Sequence, residues 1–418
     1  MKYHRRLLEE KLLDYHDSFT CVLVAGARQV GKSTLVEHVF GRRLKPFTFD
    51  PVQDLYGERS DPDLFLRNNP PPLILDEIQY VPELVPALKR YVDAHRAPGL
   101  FVITGSQQWE VMRALSESLA GRVGILDLPA FSLSESADDA GLCWFPAWLR
   151  GALRSREDAI AAMREAAGTE RSPAQLIWRG FFPEVQTLRE SAVPGWMRGY
   201  VATYLQRDVR RMLEVRDETQ FATFLGLCAA LTAQEINYRQ LGRDIGLSTP
   251  SAKNWLSALR GTFQWLELPA FSHNQLKKLS QKSKGYLTDT GLASYLLRLS
   301  SPDGVQGHPS FGALFETMVV CELHKQAQLL PLVPAFYHYR QHSGMEIDLV
   351  ADIDGRLFPI EIKASSSVRP ADARAISTFQ TQIGPAAGPG LVIYAGTRTL
   401  QLADGCMAVP FDVRGAAG

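Results

Sequence analysis

Apolar residues in the first third of the chain fall into short unbroken runs set between amphipathic stretches. Cys21-Val22-Leu23-Val24-Ala25, Pro72-Leu73-Ile74-Leu75 and Leu100-Phe101-Val102-Ile103 show no alternation, which predicts buried strands of a parallel sheet. After the first of these, Leu35, Val36 and Val39 recur at helical spacing and predict a helix that turns them inward. Pro46 to Asp50 reads as a short strand, Asp61 to Leu66 as the start of a helix with an acidic cap, and Val123 to Leu128 as another strand.

The pattern then changes. From Ser134 to Glu170 apolar and charged residues mix, first around Trp144, Trp148 and Leu153 and then at helical spacing from Arg156 to Ala167, predicting a helical lid over residues 136–195. A helix from Trp196 to Leu213 carries Tyr200, Tyr204 and Leu205 beside Arg198, Arg207, Arg210 and Arg211, either as a solvated face or as a surface for a subunit or phosphate. Phe221–Leu231, Tyr238–Gly246 and Thr249–Phe263, the last capped by Ser248, are three helices with a Gly-containing turn, and they predict a winged helix-turn-helix within 196–284. Lys253, Asn254 and Arg260 then fall on the recognition helix. Ser272 to Lys284 holds Lys277, Lys278, Lys282 and Lys284 with no acidic residue, as a basic wing that grips phosphate backbone without reading sequence would. Such folds also serve as protein-protein modules.

Residues 285–418 return to α/β patterning. A helix Phe311–Gln326, strands Ala335–Arg340, Met345–Ala351 and Arg356–Lys363, a helix Pro370–Thr381 and a strand Leu391–Ala395 give the order α-β-β-β-α-β. Within it Asp348 precedes Glu361-Ile362-Lys363, and strand alternation puts Glu361 and Lys363 on one face. This arrangement resembles the PD-(D/E)xK nuclease core. The resemblance implies Mg²⁺ on Asp348 and Glu361 with Glu316 as a third acid, and Lys363 orienting water or steadying phosphate charge. An inactive relative that keeps the fold for DNA or subunit binding is the other reading.

The sharpest chemistry lies at residues 26–34. Gly26-Ala27-Arg28-Gln29-Val30-Gly31-Lys32-Ser33-Thr34 fits the phosphate-binding loop pattern, between a buried strand and a helix as that pattern requires. The glycines let successive N–H groups point into one concavity, and the following helix adds its positive end. Lys32 would set an ammonium on the β- and γ-phosphates of ATP, and the Ser33 hydroxyl would hold Mg²⁺. Asp76 and Glu77 end the next apolar strand, the first acid suited to the metal shell and the second to polarising water. Ser106 or Thr104, beyond the third strand, is placed to sense the γ-phosphate, or else to cap a helix. Arg122 is the candidate arginine for a neighbour's site, against a solvated surface role.

Taken together, Gly26 to Thr34, Leu75-Asp76-Glu77-Ile78-Gln79 with Val81-Pro82-Glu83-Leu84, Ile103-Thr104-Gly105-Ser106 and Ser118-Leu119-Ala120-Gly121-Arg122 resemble the prokaryotic AAA+ ATPases with an uncharacterised C-terminal domain of nuclease-like fold. The resemblance spans nearly the whole chain. It implies an α/β AAA+ P-loop core over residues 1–135 that acts as a ring, commonly a hexamer, with Arg122 completing the neighbour's site. Lys284-Gly285-Tyr286-Leu287-Thr288-Asp289-Thr290-Gly291-Leu292 resembles the same family, as does the turn at Gly180, where Phe181 stands in place of a usual second glycine.

Composition narrows little further. With 418 residues, 45% hydrophobic and 22% charged, the chain has room for two or three cores. Its net charge of zero means that any nucleic-acid contact comes from local clusters. The five cysteines are scattered and odd in number, which argues against a disulfide framework or zinc knuckle and suits a reducing cytoplasm. No apolar run approaches the ~18 residues of a membrane span. The expected activity is a Mg²⁺-dependent ATPase coupled to DNA, with forks or Holliday junctions expected by analogy. The alternatives are an ATP-controlled endonuclease and a nucleotide-operated switch for a protein partner.

Overall fold

The computed structural model describes residues 3–105, 119–138, 143–151, 171–203, 218–272, 282–341 and 344–411. The chain divides into two compact units, residues 1–131 with 259–263 and residues 132–258 with 264–418.

In the first unit the apolar runs become strands β1 (Cys21–Ala25), β2 (Lys45–Thr48), β3 (Leu73–Asp76), β4 (Phe101–Gly105) and β5 (Val123–Asp127). They form one parallel sheet in the order β2-β3-β4-β1-β5. The three central strands are buried along their whole length, whereas edge strand β5 alternates buried and exposed positions, because only an edge leaves one face to water. Registers Ala25↔Gly105 and Ala25↔Asp127 bring the carboxyl ends of β1, β4 and β5 level, the edge where a parallel sheet receives ligands. The helix Lys32–Phe40 leaves that edge after Gly31, whose left-handed backbone starts it, and buries Leu35, Val36 and Phe40. Pro62–Asn68 has the expected acidic cap, with the Leu64 amide donating to Asp61.

The second unit holds two sheets. Strands β6 (Gln234–Glu235), β7 (Trp265–Leu268) and β8 (Lys284–Leu287) make an antiparallel sheet with β8 in the centre. Ahead of it run helices Glu218–Ala230, Tyr238–Asp244 and Thr249–Gly261. The C-terminal sheet runs β13-β14-β12-β11-β10-β9, from β9 (Ala335–Arg340), β10 (Glu346–Ile353), β11 (Arg356–Lys363), β12 (Gly390–Tyr394), β13 (Leu400–Ala403) and β14 (Cys406–Pro410). Helix Phe311–Ala327 precedes it and Arg374–Ile383 crosses between β11 and β12, so the order α-β-β-β-α-β is present. Phe311–Ala327 is buried along most of its length, and besides its apolar residues it carries Thr317, Glu322, Lys325 and Gln326 inside.

The expected boundary at residue 284 falls inside this unit. The Phe271 amide donates to His338 O at 2.7 Å and the His338 amide to Pro269 O at 3.0 Å, so the chain after β7 runs beside β9. The hydroxyls of Thr232 and Thr317 lie 2.8 Å apart in the buried interior. Asp289 caps helix Thr290–Leu296 and also accepts from the Phe181 amide at 2.7 Å, which is why Gly180, at φ +71°, must lack a side chain. Of the expected lid, Arg156 to Ala167 lies outside the described residues, as do Ser106, Tyr204 to Leu213, Lys277 and Lys278.

Candidate functional site

Residues 26–34 wrap the carboxyl end of β1 as expected of a phosphate loop. Lys32 is buried, and its Nζ donates to the carbonyls of Gly26 (3.0 Å) and Ala27 (2.8 Å). Burial lowers its pKa to about 8, although Glu77 and Asp76 pull upward and Arg28 adds to the lowering. The Ser33 hydroxyl donates to Asp76 Oδ1 at 2.9 Å, joining the loop helix to the end of β3. Arg28 reaches Tyr80 Oη at 2.7 Å, Gln29 adopts a left-handed backbone, and Thr34 is exposed.

Glu77 follows Asp76 at φ 61°, a left-handed conformation that costs a non-glycine residue about 1–3 kcal/mol and is held here by its surroundings. Its amide donates to Thr104 Oγ1 at 3.2 Å, and the same hydroxyl donates to Asp76 Oδ1. Thr104 therefore fixes both acids from the adjacent strand. Arg6 is a further member that the local pattern did not reveal. It donates to Val30 O and to Pro129 O, both at 2.7 Å, and so braces the loop from behind.

Gly26 is the tightest point. A β-carbon there would collide with the carbonyl oxygen of Leu128, whose own amide is held by Ala25 O at 2.7 Å. Gly26→Ala is expected to lower stability by about 1–3 kcal/mol and to open the loop. Denaturant unfolding and nucleotide titration together check this, and an unaltered melt with unaltered affinity contradicts it.

Arg122 is engaged by Asp93 of its own chain in a half-exposed ion pair. Lys253, Asn254 and Arg260 are exposed along helix Thr249–Gly261, with the Lys253 ammonium 5.3 Å from the centre of the Tyr238 ring, and Lys282 is also exposed.

Lys284 departs from expectation. Charge composition placed it on an exposed wing, but it begins the central strand of its sheet, paired on one side to Glu235 and on the other to Leu268. Its side chain is only 5% exposed, and its Nζ lies 2.7 Å from Glu316 Oε1, 3.2 Å from Glu346 Oε1 and 3.3 Å from Asp348 Oδ1. It cannot reach a phosphate backbone from there. Burial alone would lower its pKa, but Glu316, Asp348 and Glu346 outweigh burial and hold the ammonium above its ordinary value.

The same geometry shows what Glu316, Asp348 and Glu361, the expected metal ligands, touch within the chain. Glu316 and Asp348 face Lys284, Glu361 Oε1 lies 2.5 Å from Lys363 Nζ, and Asp348 Oδ2 accepts from the Ile362 amide at 2.9 Å. A register shift in β10 against β9, between Ile347 and Val350, brackets Asp348, and bulges of this kind re-aim a side chain. Tyr286 donates to Glu316 Oε1 at 2.8 Å. Burial and the neighbouring Asp348 push Glu316 and Glu361 each up to about 8, with Lys284 and Lys363 respectively pulling them down. Among the described residues no group of three or more His, Cys, Asp or Glu is arranged to hold a metal ion.

Known proteins match this layout in parts. A model of the AAA domain matches residues 18–137, and models of two domains of unknown function, DUF8612 and DUF4143, match residues 170–303 and 311–413. The uncharacterized proteins Rv2008c of Mycobacterium tuberculosis and Mb2031c of Mycobacterium bovis are each 27% identical over 398 residues, covering 94% of this chain and 80% of theirs. Among solved structures, the Walker-type ATPase of Pyrococcus abyssi aligns with TM-score 0.40 and 14% identity over 71% of this chain and 96% of its own. The RuvB Holliday junction branch migration motor of Thermotoga maritima aligns with TM-score 0.29 and 17% identity over 66% and 94%. At these scores the structural likeness is partial, and the chemistry rests on the chain's own residues. The chain thus carries an AAA-type P-loop domain over residues 18–137, followed by two domains whose families have no assigned function.

Proposed function

We propose that the protein is a Mg²⁺-dependent ATPase whose turnover is coupled to DNA. One observation carries the first half: a buried Lys32 resting on loop carbonyls, beside a Ser33 hydroxyl that is bonded to Asp76. Phosphate oxygens offer the Lys32 ammonium better partners than the Gly26 and Ala27 carbonyls, because both members of the new pair are charged. Ser33 and Asp76 are hard oxygen donors that suit Mg²⁺, which when bound neutralises charge on the transferring phosphoryl group. Glu77, held on strained backbone at the sheet edge, would orient the attacking water, and Thr104 would keep both acids in register.

The coupling to DNA rests on the segment from Glu218 to Leu287. Its order of helix, strand, two helices and a β7-β8 pairing supports a winged helix-turn-helix, and Lys253, Asn254 and Arg260 are exposed on the helix that would enter a groove, with Lys282 exposed at the approach to β8. Branched DNA such as forks is the form proposed, by analogy with motors that act on it. A ring would require Arg122 to leave Asp93 before serving a neighbour's site.

ATPase assays with duplex, forked and four-way DNA test the coupling. Turnover should rise with DNA, and the triple charge reversal Lys253→Glu, Arg260→Glu, Lys282→Glu should abolish that rise while leaving the DNA-free rate in place. Equal turnover with and without every DNA form would end the proposal.

A further inference from the structure

We infer that the acidic centre of the C-terminal sheet carries its own cation, the ammonium of Lys284, in the place a divalent metal would take, and that it binds no metal. Glu316 and Asp348 come from a helix and a strand that meet at one point, and Lys284 Nζ sits between them at 2.7 and 3.3 Å, with Glu346 at 3.2 Å. A metal there would need those carboxylate oxygens at roughly 2.0–2.6 Å, so it and the ammonium exclude one another.

The remaining donors do not make up a second metal site. Asp348 Oδ2 accepts from the Ile362 amide and Glu361 Oε1 from the Lys363 ammonium, a second cation at this centre, while Glu361 Oε2 is buried without a hydrogen-bond partner. Lys284 is also hard to displace. Its ammonium is held by three carboxylates on a side chain only 5% exposed, and its backbone is fixed by pairing to β6 on one side and β7 on the other. Tyr286, two residues along the same face of β8, bonds the same Glu316 oxygen, so two side chains of one strand fasten this sheet to the helix Phe311–Ala327. The acids thus act as a fastening inside one compact unit rather than as a centre for metal-dependent strand cleavage.

Mn²⁺ titration of the full chain in the absence of nucleotide tests this, read by the loss of the free-ion paramagnetic resonance signal. Wild type and Asp348→Asn should bind the same number of ions, and Asp76→Asn should bind none. An ion held by wild type and lost in Asp348→Asn overturns the inference. Should Asp348→Asn not fold, Glu361→Gln supplies the same comparison. The Asp76→Asn chain gives an independent reading: its melting temperature should not move on adding millimolar Mn²⁺, and a rise of several degrees overturns the inference equally.

Discussion

Lys32→Ala should abolish ATP turnover and weaken nucleotide binding about tenfold to a hundredfold, the loss of one or two charge-assisted hydrogen bonds at about 1.5–3 kcal/mol. The residue is buried against the loop beside Asp76 and Glu77, and Arg28, the neighbouring cation, is turned to Tyr80 Oη at 2.7 Å and does not occupy its place. Glu77→Gln should separate binding from chemistry. It keeps the shape and hydrogen-bonding reach of the side chain but removes its charge, so affinity should hold while turnover falls about 10²–10⁴-fold. Equilibrium binding of a fluorescent nucleotide with phosphate release on the same preparations checks both variants. Wild-type rates in Lys32→Ala would refute the site, and equal losses of affinity in both would remove Glu77 from its assigned role.

What could be read ahead of the structure follows from how local each signal is. The phosphate loop is nine contiguous residues between a strand and a helix, and β1, β3 and β4 are apolar runs whose burial needs no knowledge of distant partners. Asp76 and Glu77 were legible because a strand end fixes where its last residues stand. Arg6 was not, since its contacts lie 24 and 123 residues away and no local periodicity encodes such distances. Of the last two strands, β13 is four half-exposed residues with little pattern, and β14 is a short apolar run, Cys406–Pro410, that carries the same signal as β1 although the expected order α-β-β-β-α-β stops before it.

Lys284 failed for a different reason. It stands at the end of a run of lysines, and net charge over a window speaks for solvent exposure. Pairing of β8 on both sides overrides that average for one residue, while Lys282, two residues earlier, remains exposed. The acids of the C-terminal sheet were likewise found by their order and spacing, but what they bind depended on a cation from a strand some 60 residues before Asp348.

Lys284→Met should therefore be among the most damaging single changes in the second unit. Methionine fills much the same volume but leaves Glu316, Glu346 and Asp348 without the cation they share, and breaking a buried ion pair from one side costs about 3–5 kcal/mol. Glu346 is partly exposed and recovers water, and Glu316 holds its proton up to about 8, so near neutral pH most of the loss falls on Asp348, whose side chain is 12% exposed. Removing charge from the other side should repair it: Lys284→Met with Glu316→Gln and Asp348→Asn makes the two buried acids neutral, leaves only the partly exposed Glu346 charged, and should regain much of the stability. The pH response adds a further reading. Glu316 and Glu361 each hold their proton up to about 8 when folded, against an ordinary value of 4.5. The unfolded chain releases those protons first, so their contribution is fully present below 4.5 and is lost as pH rises towards 8. In Lys284→Met the loss should extend to higher pH, because the ammonium no longer pulls the Glu316 value down. Denaturant unfolding at several pH values decides the matter. If Lys284→Met unfolds within about 0.5 kcal/mol of wild type, the size of an ordinary surface substitution, the ammonium is not the cation that holds this centre together.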